Sequence, residues 1–222
     1  MQPGVEAHGE LFLDERRSGP AISSRTDYPR FIEQARTAGS TRVSDVYSYL
    51  TRLCGAPHTV GFKLMYGQLR RYPEIMAFLA FRRVRIVHLV RQNHLDVIIS
   101  EELAKLTGAS HVPAGRQYQV PKVHLDTATL ADRMRRRNRR PQQARWLIRL
   151  SACPHIEVAY ESLLEGDHEF ARIATFLQIE GGARRGESVL AKRGSQSHRD
   201  SISNYDEVRD ALSSSRYSGM LR

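Results

Sequence analysis

Three short apolar runs most constrain what this chain can fold into: HTVGFKLM (58 to 65), RIVHLVR (85 to 91) and HIEVAYESL (155 to 163). Each is nearly continuous rather than alternating, and each is bounded within the length of an ordinary strand. A strand with no polar face must be covered on both sides, which suits a buried parallel sheet. Around these runs the apolar residues follow a helical period, roughly at 28 to 37, 43 to 54, 68 to 80, 94 to 107, 124 to 137, 141 to 152 and 166 to 177. Strands alternating with helices imply βαβ units. The expected fold is therefore α/β, three layers (α/β/α) around a central, mainly parallel sheet, with ligands bound beyond the carboxyl ends of the strands.

One of these ends is joined directly to a helix. In RIVHLVRQNHLDVIIS (85 to 100) the strand pattern runs into Arg91, and Asn93 with Asp96 three residues on forms a capping arrangement for the next helix. Free amides and the dipole of a first helical turn attract an anion, and an arginine beside them adds a fork of charged donors. The junction has the chemistry to hold a phosphate. Ser100 lies one helical turn after Asp96, on the face that looks back toward the helix start.

At 222 residues and 41% hydrophobic content the chain fits one ordinary domain, residues 1–222, with enough apolar side chains for a core. No run of about 18 apolar residues occurs, and MQPGVEAHGE lacks the pattern of a secretory leader, so a cytoplasmic protein with no membrane span is expected. Cys54 and Cys153 stand alone, without metal-ligand spacing, and CxxC, HExxH and GxSxG are all absent. No metal is expected. The segments 108–122 and 180–201, rich in Gly, Pro and charge, are expected to be mobile loops.

A net charge of +10 favours anionic partners without choosing among them. Much of the excess falls in ADRMRRRNRRPQQARWLIR, where Arg133, Arg135, Arg136, Arg137, Arg139 and Arg140 precede Pro141. The expectation here is a solvated helix end, with Pro141 breaking the helix or opening the next one. A nucleic-acid contact, with Trp146 as a stacking residue, is the alternative. A single tryptophan on a helical face is expected to fill core instead.

Five segments in order, HGELF (8 to 12), VGFKLMYGQ (60 to 68), IVHLVRQNHLDVIIS (86 to 100), VAYESLLEGDHEFARIATFLQI (158 to 179) and ISNYDEVRDAL (202 to 212), resemble the sulfotransferases that use 3′-phosphoadenosine 5′-phosphosulfate, in particular their bacterial and carbohydrate-type branches. The resemblance implies a P-loop-NTPase-like sulfotransferase fold. It implies transfer of a sulfuryl group to a hydroxyl of a sugar, lipid or small natural product, leaving 3′-phosphoadenosine 5′-phosphate. In that family an arginine at a strand end and a serine in the following helix hold the 3′-phosphate, and Arg91 and Ser100 stand in those places. The family's separation is eight and this one is nine, so either Arg91 reaches from one position earlier or Gln92 takes part.

The resemblance also makes Glu10 the base that removes the acceptor proton, with His8 as the alternative, and places Lys63 facing the active site. Arg193 and Gly194, in KRGSQ, resemble the late basic-glycine loop that closes over the 3′-phosphate. The family's N-terminal strand and phosphate-cradling loop are missing: no GxxxxGK[ST] occurs, and QPGVEAHGELF resembles the tail of the helix that follows that loop. Three expectations follow: a longer protein, a site completed by a partner, or a sulfotransferase fold that binds nucleotide or partner without catalysis. A sheet edge left bare by the missing strand would favour a homodimer.

Overall fold

A computed structural model describes residues 5–13, 30–31, 42–107, 121–179 and 197–221. The helix expected at 28 to 37, all but two residues of the loop 108–122, and Arg193 with Gly194 lie outside them or nearly so. The order is β1 (Val5–His8), α1 (Arg42–Leu53), β2 (Thr59–Phe62), α2 (Tyr66–Arg71), α3 (Glu74–Phe81), β3 (Ile86–Val90), α4 (His94–Thr107), α5 (Thr127–Leu150), β4 (His155–Ala159), α6 (Ser162–Glu165), α7 (His168–Leu177), α8 (His198–Ser201) and α9 (Tyr205–Ser213), with a closing 3₁₀ turn, Ser218–Met220. The chain is mixed α/β and mostly helical, with its strands in two parallel pairs, β1 with β2 and β3 with β4. In the first pair Val5 lies opposite Thr59 and His8 opposite Phe62.

Four departures from the sequence reading have physical causes. Residues 5–8 were expected as the tail of a helix and are a strand, whose four residues gain ladder hydrogen bonds by pairing with β2. The helix expected at 68 to 80 is broken in two, because Pro73 disfavours helical backbone at Tyr72, which sits at φ −128°, ψ 71°. Conversely, the helices expected at 124 to 137 and 141 to 152 are one, with Pro141 buried inside α5. Trp146, expected to fill core, is 62% exposed.

Two compact units emerge. One is built from the described residues of Met1–His88, Ala144–Ile156 and Phe170–Ala183, the other from those of Leu89–Gln143, Glu157–Glu169 and Arg184–Arg222. The first centres on Phe12, whose ring lies 5.2 Å from that of Phe31 and 5.6 Å from those of Tyr49 and Tyr72. Helix α1 presents Val46, Tyr49, Leu50 and Leu53 to this core, the spacing of one helical face. The second is filled by Leu95, Ile98, Ile99 and Leu103 of α4, Leu130 and Met134 of α5, and Val208 and Leu212 of α9. There Val123 makes a parallel bridge to Ile202, tying the α5 approach to the chain ahead of α9.

Candidate functional site

In the first unit the polar residues gather just past the carboxyl ends of β1 and β2. Gly9 accepts a hydrogen bond at 3.1 Å from the backbone of Lys63, so the two chains stay paired one step beyond the strands. That register brings Lys63 Nζ to 2.8 Å from Glu10 Oε1. Gln68, buried in α2, approaches the other oxygen: its Nε2 lies 3.4 Å from Glu10 Oε2, while its Oε1 accepts from the Met65 amide at 2.9 Å. Glu10 is thus held on both oxygens. His8, the alternative base, is buried instead against Glu6, with Nε2 3.5 Å from Oε1, and Glu6 also bonds His58 at 2.5 Å. Nearby in the same unit the buried His88 of β3 shares a 2.9 Å hydrogen bond with Tyr66.

In the second unit the carboxyl ends of β3 and β4 carry Arg91 with Gln92, and Tyr160 with Glu161. The Arg91 guanidinium is exposed and lies over the Tyr160 ring, 4.0 Å from its centroid, a cation–π contact. The cap expected from the sequence is present: Asn93 Oδ1 accepts from the amides of Leu95 at 3.0 Å and Asp96 at 3.2 Å. The anion at this helix start is one the protein itself supplies. Glu161 accepts from the Gln92 amide on both oxygens at 3.1 Å and from the Asn93 amide at 3.0 Å. Amides read from the sequence as free for phosphate are therefore taken by a carboxylate 69 residues away.

Ser100 donates its hydroxyl proton to the Asp96 carbonyl at 2.8 Å, a bond within its own helix. The Asp96 side chain accepts from His198, a buried histidine of α8, at 2.7 Å. His94, at the first position of α4, is held below its ordinary pKa by burial, with Arg137 and Arg216 acting the same way and Asn138 and Glu161 opposing. Arginines of the basic run fall into two sets. Arg133 and Arg137 pair with Glu102 and Glu101 of α4, and Arg135 with Asp132, whereas Arg136, Arg139 and Arg140 are exposed.

Of the residues singled out from the sequence, Glu10 and Lys63 are brought together in one unit. Arg91, Gln92 and Ser100 share the start of α4 in the other. Gln68, Tyr160 and Glu161 were missed as site residues. The last two had a signal: an acid and an aromatic stand immediately after the run that becomes β4, the position where ligand-side residues of a parallel sheet lie. Among the described residues no cluster of three or more His, Cys, Asp and Glu could hold a metal ion. Comparison with protein-family models, curated proteins and solved structures finds no match to this chain.

Proposed function

We propose that the chain is a sulfotransferase that uses 3′-phosphoadenosine 5′-phosphosulfate, built on a three-layer α/β/α fold, and that its acceptor is a hydroxyl of a carbohydrate, lipid or small natural product. The observation that carries this reading is the placement of charge: both parallel strand pairs end in the polar residues the chemistry asks for, Glu10 with Lys63 and Arg91 with Tyr160. In the reaction the acceptor oxygen attacks sulfur and gives its proton to Glu10, while the bond from sulfur to the bridging phosphate oxygen breaks and 3′-phosphoadenosine 5′-phosphate leaves. A positioned carboxylate of this kind contributes typically about 10²–10⁴-fold. Lys63, 60% exposed, can swing from Glu10 to a sulfuryl oxygen, freeing the carboxylate as charge develops.

The 3′-phosphate would be held by side chains rather than by the helix amides, since Glu161 occupies those. Arg91, in contact with the Tyr160 ring, supplies a two-pronged donor, and Ser100 contributes after its hydroxyl rotates away from the Asp96 carbonyl. Arg193 and Gly194 are assigned to the same phosphate from the resemblance alone. Calorimetry with 3′-phosphoadenosine 5′-phosphate tests the reading: the full chain binds, and Arg91→Ala lowers affinity at least about tenfold, the loss of one charge-assisted hydrogen bond pair. Equal affinity for both proteins would rule out Arg91 as the anchor. A second reading, a nucleotide-binding protein without transferase activity, is favoured by the ion pair that already engages Glu10. It is distinguished by nucleotide binding without sulfate release from the donor in the presence of hydroxyl acceptors.

A further inference from the structure

The amino end of the β3–β4 pair, within the first unit, carries a surface of a different kind. The amide of Ile86, which opens β3, donates at 2.9 Å to the carbonyl of Pro154, just ahead of β4. The two turns that lead into these parallel strands therefore run in side by side. One, RRVR (82 to 85), follows Phe81 at the end of α3; the other, SACP (151 to 154), follows RWLIRL (145 to 150) at the end of α5. Together with these helix ends they expose large apolar side chains: Phe81 at 78%, Leu150 at 64% and Trp146 at 62%, with Leu147 beside them. Arg82, Arg83, Arg85 and Arg149 are exposed among them, and neither stretch contains an acidic residue.

The backbone holds this arrangement under strain. Arg83 lies at φ 48° where α3 ends, and Ala152 at φ 51° where α5 ends, in the left-handed region that favours glycine. We propose that this face docks the protein on an anionic membrane surface. Phe81, Trp146, Leu147 and Leu150 enter the boundary between headgroups and acyl chains, and the arginines meet lipid phosphates.

Apolarity and charge together select that partner. A second copy docking the same face across a two-fold axis would set arginines against arginines. A nucleic acid would satisfy the guanidiniums and stack on the rings, but would give Leu147 and Leu150 nothing to bury against. No helix among the described residues is long and apolar enough to cross a membrane, and the proposed attachment is made by this face.

Trp146 is the single tryptophan of the chain, which makes its emission a direct reporter. Vesicles of mixed phosphatidylglycerol and phosphatidylcholine should shift the emission of the full chain to the blue and carry the protein into the pellet. Pure phosphatidylcholine should do neither, and high salt should reverse the effect. Arg83→Gly should weaken vesicle binding roughly fivefold, the effect of one surface arginine, yet raise the thermal midpoint by relieving the left-handed residue. Ala152→Gly should raise the midpoint and leave vesicle binding unchanged. The proposal is overturned if anionic vesicles leave the emission unmoved, if the blue shift accompanies self-association without lipid, or if only an oligonucleotide perturbs Trp146.

Discussion

Glu161 shows how much one side chain can decide. It accepts from the amides of Gln92 and Asn93, the donors a helix start leaves without partners. Its removal is expected to cost about 1.5–3 kcal/mol, the value of hydrogen bonds to a charged group. Urea denaturation should show that loss for Glu161→Ala and a smaller one for Glu161→Gln, which keeps a carbonyl acceptor; equal stability of all three proteins would mean the carboxylate is idle. The role of Asn93 was legible in the sequence because its partners lie two and three residues away. That of Glu161 was not, because the local pattern offers amides but does not say whether an external phosphate or an internal carboxylate fills them.

Among the elements, two prolines had opposite outcomes. Pro73 follows a short helix whose last turn is already closed by the Tyr72 amide on the Gln68 carbonyl, so a break there loses little. Pro141 stands inside a 24-residue helix with Leu130, Met134, Ala144 and Ile148 buried before and after it. Burial of these side chains on both sides of Pro141 outweighs the roughly 3 kcal/mol that an interior proline costs. Pro141→Ala is therefore expected to stabilise the fold by about 1–3 kcal/mol, less whatever packing the buried ring supplied; a lower midpoint in thermal unfolding would show that the ring is a packing element. The sequence reading ran a helix through Pro73 and broke one at Pro141, and the structure reverses both, because only tertiary burial distinguishes them.

For the molecule as a whole, charge sets the pH response. His94 is buried and its pKa is lowered, so the unfolded chain binds its proton more readily than the native one. Stability is therefore full above the unfolded value of about 6.5 and falls as pH drops toward the native value. Glu102 acts in the same direction at lower pH. Burial raises its pKa, but hydrogen bonds from Lys105 and Arg133 outweigh that and lower it, so its contribution is lost as the carboxyl protonates. Thermal midpoints measured from pH 7.5 to pH 4 should decline throughout, and His94→Gln should flatten the upper part of that decline. A midpoint independent of pH between 7.5 and 5.5 in the native sequence would contradict the burial of a neutral His94. With +10 already on the chain, each histidine protonated in acid adds to self-repulsion.

The sequence by itself determined the strands β2, β3 and β4, the junction at Arg91, the cap at Asn93 and the amphipathic faces of α1 and α4, because each is a matter of period and nearest neighbours. It misplaced β1, whose four residues have no period long enough to read and exist as a strand only through pairing with β2. Tertiary structure alone decided the partners of Glu10, the carboxylate at the start of α4, the passage of α5 through Pro141 and the exposure of Trp146. Each depends on what packs against a residue from far along the chain, and burial, unlike periodicity, is a property that no local stretch contains.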